Sequence, residues 1–331
     1  MNNTEDVFPG ASPELTVRLV EGLAAVDARL QDVIDHDDEF ITRASRHLLD
    51  AGGKRFRPLL TLLAAELGSG CNPKVIDAAA GVELTHLASL YHDDVMDDAR
   101  VRRGVTSVNI AFDNSIAILV GDLLFGKASE LVADLGADAV RIQAGTFVRL
   151  CAGQINDDRQ APGDIDPMQH YLSVLADKTG SLIATAARYG AMIAGCPDKT
   201  IDIMTQYGEL VGIVFQLADD VLDITSEQSE SGKAPGTDLR EGVATLPVLY
   251  ARASRDPADA RLVELMSRPL IDAVEHAEAL ALLVDHAAID QARRYTNNVA
   301  QQAISLLNPL GDSEALRVLR ALPDRLASRS S

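Results

Sequence analysis

The chain has 331 residues, 47% of them hydrophobic but only 4% aromatic, with no tryptophan and a formal net charge of −19. That acidity excludes nucleic acid and an anionic membrane surface as electrostatic partners. No apolar run reaches the roughly 20 residues that span a bilayer, and the polar, acidic start Met1 to Pro9 does not read as a secretory leader, so a cytoplasmic protein is expected.

In chain order, residues 1–13 read as a disordered tail, 14–326 as one helical domain and 327–331 as a second tail. Pro13 can open a first helix, with Leu15, Leu19, Leu23, Val26 and Leu30 at helical spacing. A second runs from about Asp37 to Asp50 and stops at Gly52-Gly53. The basic stretch Gly53-Lys54-Arg55-Phe56-Arg57-Pro58 leads into a third, Leu59 to Leu67, broken by Gly68, Gly70 and Asn72-Pro73. A long helix from Lys74 to Asp97 precedes a loop at Arg100-Val101-Arg102-Arg103-Gly104.

Helices at about Ile116–Leu135 and Asp138–Ile155 follow, then a polar loop from Asn156 to Asp164. Asp166 caps, and Pro167 opens, a helix that can bend at Gly180 and continues to Gly195. Another runs from Asp198 to near Thr225, and the Ser/Gly-rich stretch Ser226 to Glu241 reads as a mobile lid. Shorter helices fill the remainder. Sustained apolar–polar alternation is absent, so the fold class is all-α: a single large helical bundle around a central cavity. Cys71, Cys151 and Cys196 lack metal-ligand spacing and read as small buried residues in a reducing compartment.

The chemistry concentrates in two aspartate clusters, Asp93-Asp94-Val95-Met96-Asp97 and Asp219-Asp220-Val221-Leu222-Asp223, each ending an apolar helix. Their lead-ins match too, Glu83-Leu84 and Glu209-Leu210. Residues four apart share a helix face, and like charges there repel by roughly 0.2–0.5 kcal/mol. A hard divalent cation offsets that repulsion. Mg²⁺ takes one or two carboxylates and fills its other positions with water and phosphate oxygens, so two or three Mg²⁺ ions and a diphosphate are expected where the two clusters face one another. Lys54, Arg55 and Arg57, with Arg102 and Arg103, read as a second diphosphate site built on cations, to which His86 can add a hydrogen bond. Metal and diphosphate stabilise a leaving group, and an apolar cavity protects the cation left behind.

At this point the chain resembles the trans-isoprenyl diphosphate synthases, or polyprenyl synthetases, over about residues 40–310. The matching motifs are Gly52 to Pro58, His86, Leu90 to Asp97, Arg102-Arg103-Gly104, Lys178-Thr179, Phe215 to Asp223, Gly232-Lys233 and Gly236 to Leu239. The resemblance implies an all-helical fold, a homodimer, and Mg²⁺ held by Asp93, Asp94, Asp97, Asp219 and Asp223, with Asp220 and Lys178 also catalytic. It places the allylic diphosphate at Arg102, Lys178, Thr179, Gln216 and Lys233, and isopentenyl diphosphate at Lys54, Arg57, His86 and Arg103. The implied reaction ionises the allylic diphosphate, joins it to the isopentenyl double bond, and loses a proton to give an E alkene. One position departs: Val243 stands after Glu241-Gly242, where the family commonly has lysine.

Ala88 and Ser89 lie one turn deeper than Asp93, and both are small. The expectation is therefore a product longer than C20, in the C30–C50 range, as a quinone side chain; replacing Ala88 with Phe should shorten it. A C20 synthase, a non-catalytic subunit of a heteromeric synthase and a class I terpene cyclase are the alternatives. The intact second cluster argues against the cyclase, and the retained motif residues argue against the subunit.

Overall fold

The structure is a computed structural model that describes residues 8, 10–157, 159, 161–225 and 235–329. It is built from helices α1 (Pro13–Ile34), α2 (Glu39–Asp50), α3 (Phe56–Ala65), α4 (Pro73–Met96), α5 (Val108–Phe112), α6 (Asn114–Ala133), α7 (Ala137–Asp157), α8 (Pro167–Leu175), α9 (Ser181–Ile193), α10 (Asp198–Thr225) and α11 (Thr237–Glu241). Helices Leu246–Arg252, Ala260–Leu265, Ala273–Val284, Ala287–Leu306 and Glu314–Ser328 complete it.

Capping chemistry sets where these helices start. Ser12 Oγ accepts from Leu15 N before Pro13, Asp38 accepts from Phe40 and Ile41 N, and Asn72 accepts from Lys74 and Val75 N ahead of Pro73. Each satisfies backbone donors that a helix start leaves open.

Three local expectations need correction. The stretch read as a loop is a hairpin, with Val101 opposite Thr106 and Arg102 opposite Val105. Arg103 at φ 53° and Gly104 at φ 78° form its two-residue turn, and positive φ at both positions is what a type I′ turn demands. Strands of two residues carry no readable periodicity. Nor is the amino-terminal tail disordered throughout: Phe8 is buried, and Ser12 donates to Glu314 at 2.8 Å. At the other end the last helix runs through Ser328. Residues 226–234, most of the expected lid, lie outside the described residues, and its end forms α11.

The chain groups into two compact units. One holds the chain up to Val148, Leu182–Gly208 and Leu310–Val318; the other holds Arg149–Ser181, Glu209–Pro309 and the chain from Leu319. No composition break marks the division, because α7 and α10 each run on through it as continuous helices.

In the first unit α4 is the buried helix. Leu84, Leu87, Ala88 and Tyr91 are wholly enclosed, in a core shared with Val26 and Leu30 of α1, Leu48 of α2, Val108 of α5 and Leu124 of α6. A helix apolar on nearly every side belongs inside. Tyr91 satisfies its hydroxyl by donating to Ala44 O at 2.7 Å and Ser45 O at 2.9 Å. Ala194 O lies against Gly68, and Thr61 O against Gly190, so close that an added Cβ would stand 2.4 and 2.0 Å away. Among the described residues no helix is long and apolar enough to cross a membrane.

Candidate active site

The first aspartate cluster ends α4, in the first unit. Asp93 is half-buried and Asp97 exposed, but Asp94 is fully enclosed. Both oxygens of Asp94 are engaged: Arg102 Nε donates to Oδ1 at 2.6 Å, and Val108 N donates to Oδ2 at 3.1 Å. Arg102 also lies 3.5 Å from Asp97 Oδ2. The sequence reading counts Asp94 among the metal ligands; here it anchors the hairpin and its arginine, which leaves Asp93 and Asp97 as the accessible carboxylates of the triplet.

The basic residues of this unit gather around buried Glu83. Arg55 donates to Asp27 at 2.6 Å and to Glu83 at 3.3 Å, and Arg103 Nη2 lies 3.9 Å from Glu83. Arg103 also donates to Leu48 O at 3.0 Å and to Gly52 O. The left-handed turn at Gly52 (φ 85°) aims that carbonyl, and an added Cβ on Gly53 would stand 3.1 Å from Arg103 Cζ. Arg55 is thus committed to structure.

Burial lowers Arg57 to about 10, with Arg103 adding to the shift and Glu83 opposing it. Its Nε is buried and has no hydrogen-bond partner. His86 is held well below its ordinary value, first by burial and then by Arg57, Arg103, Arg102 and Arg55. At neutral pH it is a neutral imidazole able to donate one hydrogen bond. Half-buried cations with an enclosed, unsatisfied donor are what an anion completes. Lys54, also predicted for this site, is exposed.

The second cluster ends α10, in the second unit. Again the middle aspartate is buried: Asp220 accepts from Tyr171 Oη and from Gln216 Nε2, the latter at 3.0 Å. Burial pushes Asp220 up to about 7; the two hydrogen bonds oppose the shift, and the charges of Asp219 and Asp223 add to it. Asp223 accepts from Thr237 N at 3.2 Å and Asp238 N at 3.1 Å, which ties it to the start of α11. Asp219 lies 3.7 Å from Arg329.

Lys178 and Thr179 sit in a single π-helical turn, Ala176–Gly180, between α8 and α9. Such turns insert one extra residue and redirect the side chains around it. Lys178 Nζ donates to Asp157 at 2.6 Å, and Thr179 Oγ1 to Gln216 Oε1 at 3.4 Å. Gln216 therefore joins Thr179 to Asp220. Lys233 lies outside the described residues.

Sequence reasoning missed Tyr171, Asp157 and Arg149. Tyr171 is seven residues before Lys178, a helical repeat that offered a signal. Glu83 and Glu209, noticed only as matching lead-ins, each ion-pair with an arginine of their own unit: Glu83 with Arg55, and Glu209 with Arg149 at 3.0 Å. The cysteine reading also needs correction, since Cys71 is exposed.

Among the described residues no group of three histidine, cysteine or carboxylate side chains converges on one point. The accessible donors are hard carboxylate oxygens, one or two per cluster. That set suits Mg²⁺ or Ca²⁺ completed by phosphate and water, not a soft metal.

Comparison with known proteins places the fold among the all-α isoprenoid synthases. The chain resembles geranylgeranyl pyrophosphate synthase from Corynebacterium glutamicum complexed with calcium and isoprenyl diphosphate, at 41% identity and TM-score 0.87 over 98% of this chain and 99% of that one. It also resembles decaprenyl diphosphate synthase from Rhodobacter capsulatus, at 32% identity and TM-score 0.86 over 96% and 99%. In sequence it is 45% identical to nonaprenyl diphosphate synthase of Mycobacterium tuberculosis over 309 residues, 93% of this chain and 92% of that protein. The polyprenyl synthetase family model matches residues 38–283, and the chain belongs to that family.

Proposed function

We propose that the protein is a prenyltransferase that condenses isopentenyl diphosphate head-to-tail with an allylic diphosphate. The observation that carries this reading is the half-buried pair of cations Arg57 and Arg103 beside neutral His86, where the enclosed Arg57 Nε has no hydrogen-bond partner and calls for an anion. Asp93, Asp97, Asp219 and Asp223 are the carboxylates for Mg²⁺, while Asp94 and Asp220 support them. When bound, Mg²⁺ supplies the positive charge that stabilises the departing diphosphate. Arg102, Lys178, Thr179 and Gln216 orient the allylic diphosphate, and Arg57, Arg103, His86 and Lys54 take isopentenyl diphosphate. Lys233 is assigned to the allylic group from its motif alone. Proton loss from the coupled cation, with the released diphosphate as base, gives the E alkene.

The product we infer is longer than C20, of C30–C50 length, made as a quinone side chain. Ser89 and Ala88 leave only small side chains one turn below Asp93, and a nonaprenyl synthase is 45% identical. Ala88 is wholly enclosed in the core, so Phe there would overpack it. Ser89→Phe is the better test, and shorter product is expected.

A C20 product is the second reading. Thr85 lies eight residues before Asp93, about 12 Å along the helix. There it borders a small enclosed void with Gln143, Thr146, Thr185 and Tyr189, whose side chains could stop a growing tail.

Purified protein with Mg²⁺, labelled isopentenyl diphosphate and farnesyl diphosphate decides between these. A linear product beyond C20 supports the first reading, C20 the second; a cyclised hydrocarbon or no product overturns the synthase assignment. A homodimer is also proposed, with α6 exposing Ile118 and Leu119 for contact. Light scattering on the eluting protein tests it, and a monomer mass would refute it.

A further inference from the structure

Three residues on one face of α7 meet the π-helical turn that carries Lys178 and Thr179. Arg149, Gly153 and Asp157 are four residues apart and so lie in one stripe. Arg149 Nε donates to Asp177 Oδ1 at 2.7 Å and Nη2 to Ala176 O at 3.4 Å, both in the turn. Its remaining arm, Nη1, donates to Glu209 of α10 at 3.0 Å. At Gly153 the backbones touch: an added Cβ would stand 2.4 Å from Lys178 N and 2.9 Å from Asp177 C. Asp157 then accepts from Lys178 Nζ. On the opposite side of the turn, an added Cβ on Gly180 would stand 3.2 Å from Glu209 O.

A π-turn is an irregular backbone that persists only when its surroundings over-determine it. Here a planar guanidinium fork joins the turn to a second helix, and a glycine lets a third backbone press against it. Neither Arg149 nor Gly153 belongs to the residues assigned to substrate.

We propose that Arg149, seated by Gly153, is a positioning residue that holds the π-turn and thereby aims Lys178 and Thr179 at the allylic diphosphate. This rests on the reading of Lys178 and Thr179 given above. The residues grouped around isopentenyl diphosphate are on other elements, so the effect should fall on one substrate.

The test is steady-state kinetics of the full-length protein, varying each substrate, with a melting curve for each variant. Arg149→Met should raise KM for farnesyl diphosphate about tenfold and leave KM for isopentenyl diphosphate within twofold. Arg149→Lys should recover part of that loss, since it keeps one of the three arms. Glu209→Gln, which weakens the network while conserving shape, should raise the same KM about threefold and serves if Arg149→Met does not fold. Equal changes in both KM values, or none, would overturn the proposal. If the wild-type protein makes no prenyl product, the synthase reading fails. Calorimetry with magnesium pyrophosphate then decides the positioning role: weaker binding in the Arg149 variants supports it, and unchanged binding refutes it.

Discussion

Both aspartate clusters bury their middle residue, yet Asp94 is held by a cation and a backbone amide, whereas Asp220 is held by a tyrosine hydroxyl and a glutamine amide. The same five-residue pattern therefore has two electrostatic characters. Asp94 and Arg102 form a charge pair that neither member can lose cheaply. Asp220 sits among neutral donors beside two like charges, and burial raises its proton affinity. The spacing repeats, but the distinguishing partner comes from a different part of the chain: Arg102, in a hairpin eight residues downstream, in one case, and Tyr171, in α8 far upstream, in the other.

The sharpest way to break the comparison is Asp94→Ala. It leaves Arg102 without its buried partner and should cost about 3 kcal/mol or more, read as a lower denaturation midpoint at pH 7; an unchanged midpoint would refute the pairing. The next effect concerns pH. Asp220 binds its proton up to about pH 7 when folded but only near its ordinary 3.8 when unfolded. The native state thus holds more protons across that window, and stability falls as pH rises through it. At about 1.4 kcal/mol per pKa unit the loss is at most about 4 kcal/mol. In chelator-treated protein Asp220→Asn should flatten this slope between pH 4 and 7, and a slope as steep as the wild type's counts against it.

Tyr171→Phe should have a smaller effect, about 1 kcal/mol, and should extend the same decline to higher pH, because the lost hydrogen bond was favouring the carboxylate. Smallest is Val243→Lys. Val243 is 36% exposed, and a cation there should lower KM for the allylic substrate two- to threefold. No change, or a rise, in that KM would remove Val243 from the account of the allylic site.

Part of this is legible in the sequence. The helix start at Asp166-Pro167 follows from capping chemistry that acts within four residues, and Asp166 accepts from Gln169 N as that chemistry requires. The aspartate triplets were visible because helical spacing is local. The Arg103-Gly104 turn was not, since it depends on a positive φ that no side-chain pattern announces. The π-turn at Lys178 was hidden for a similar reason: its extra residue is stabilised by Arg149, Gly153 and Glu209 from elsewhere in the chain.

By itself the sequence determined an all-helical chain, the cap at Asp166, and which residues could carry metal or diphosphate, because periodicity, capping and charge are properties of neighbours along the chain. Only the tertiary structure decided which aspartate of each triplet is enclosed, that Arg55 serves Asp27 and Glu83, and that Tyr171 and Arg149 stand behind the residues assigned to substrate. Those roles arise from burial and from partners brought together by packing, and a buried group's charge depends on what surrounds it in space, not on what precedes it in the chain.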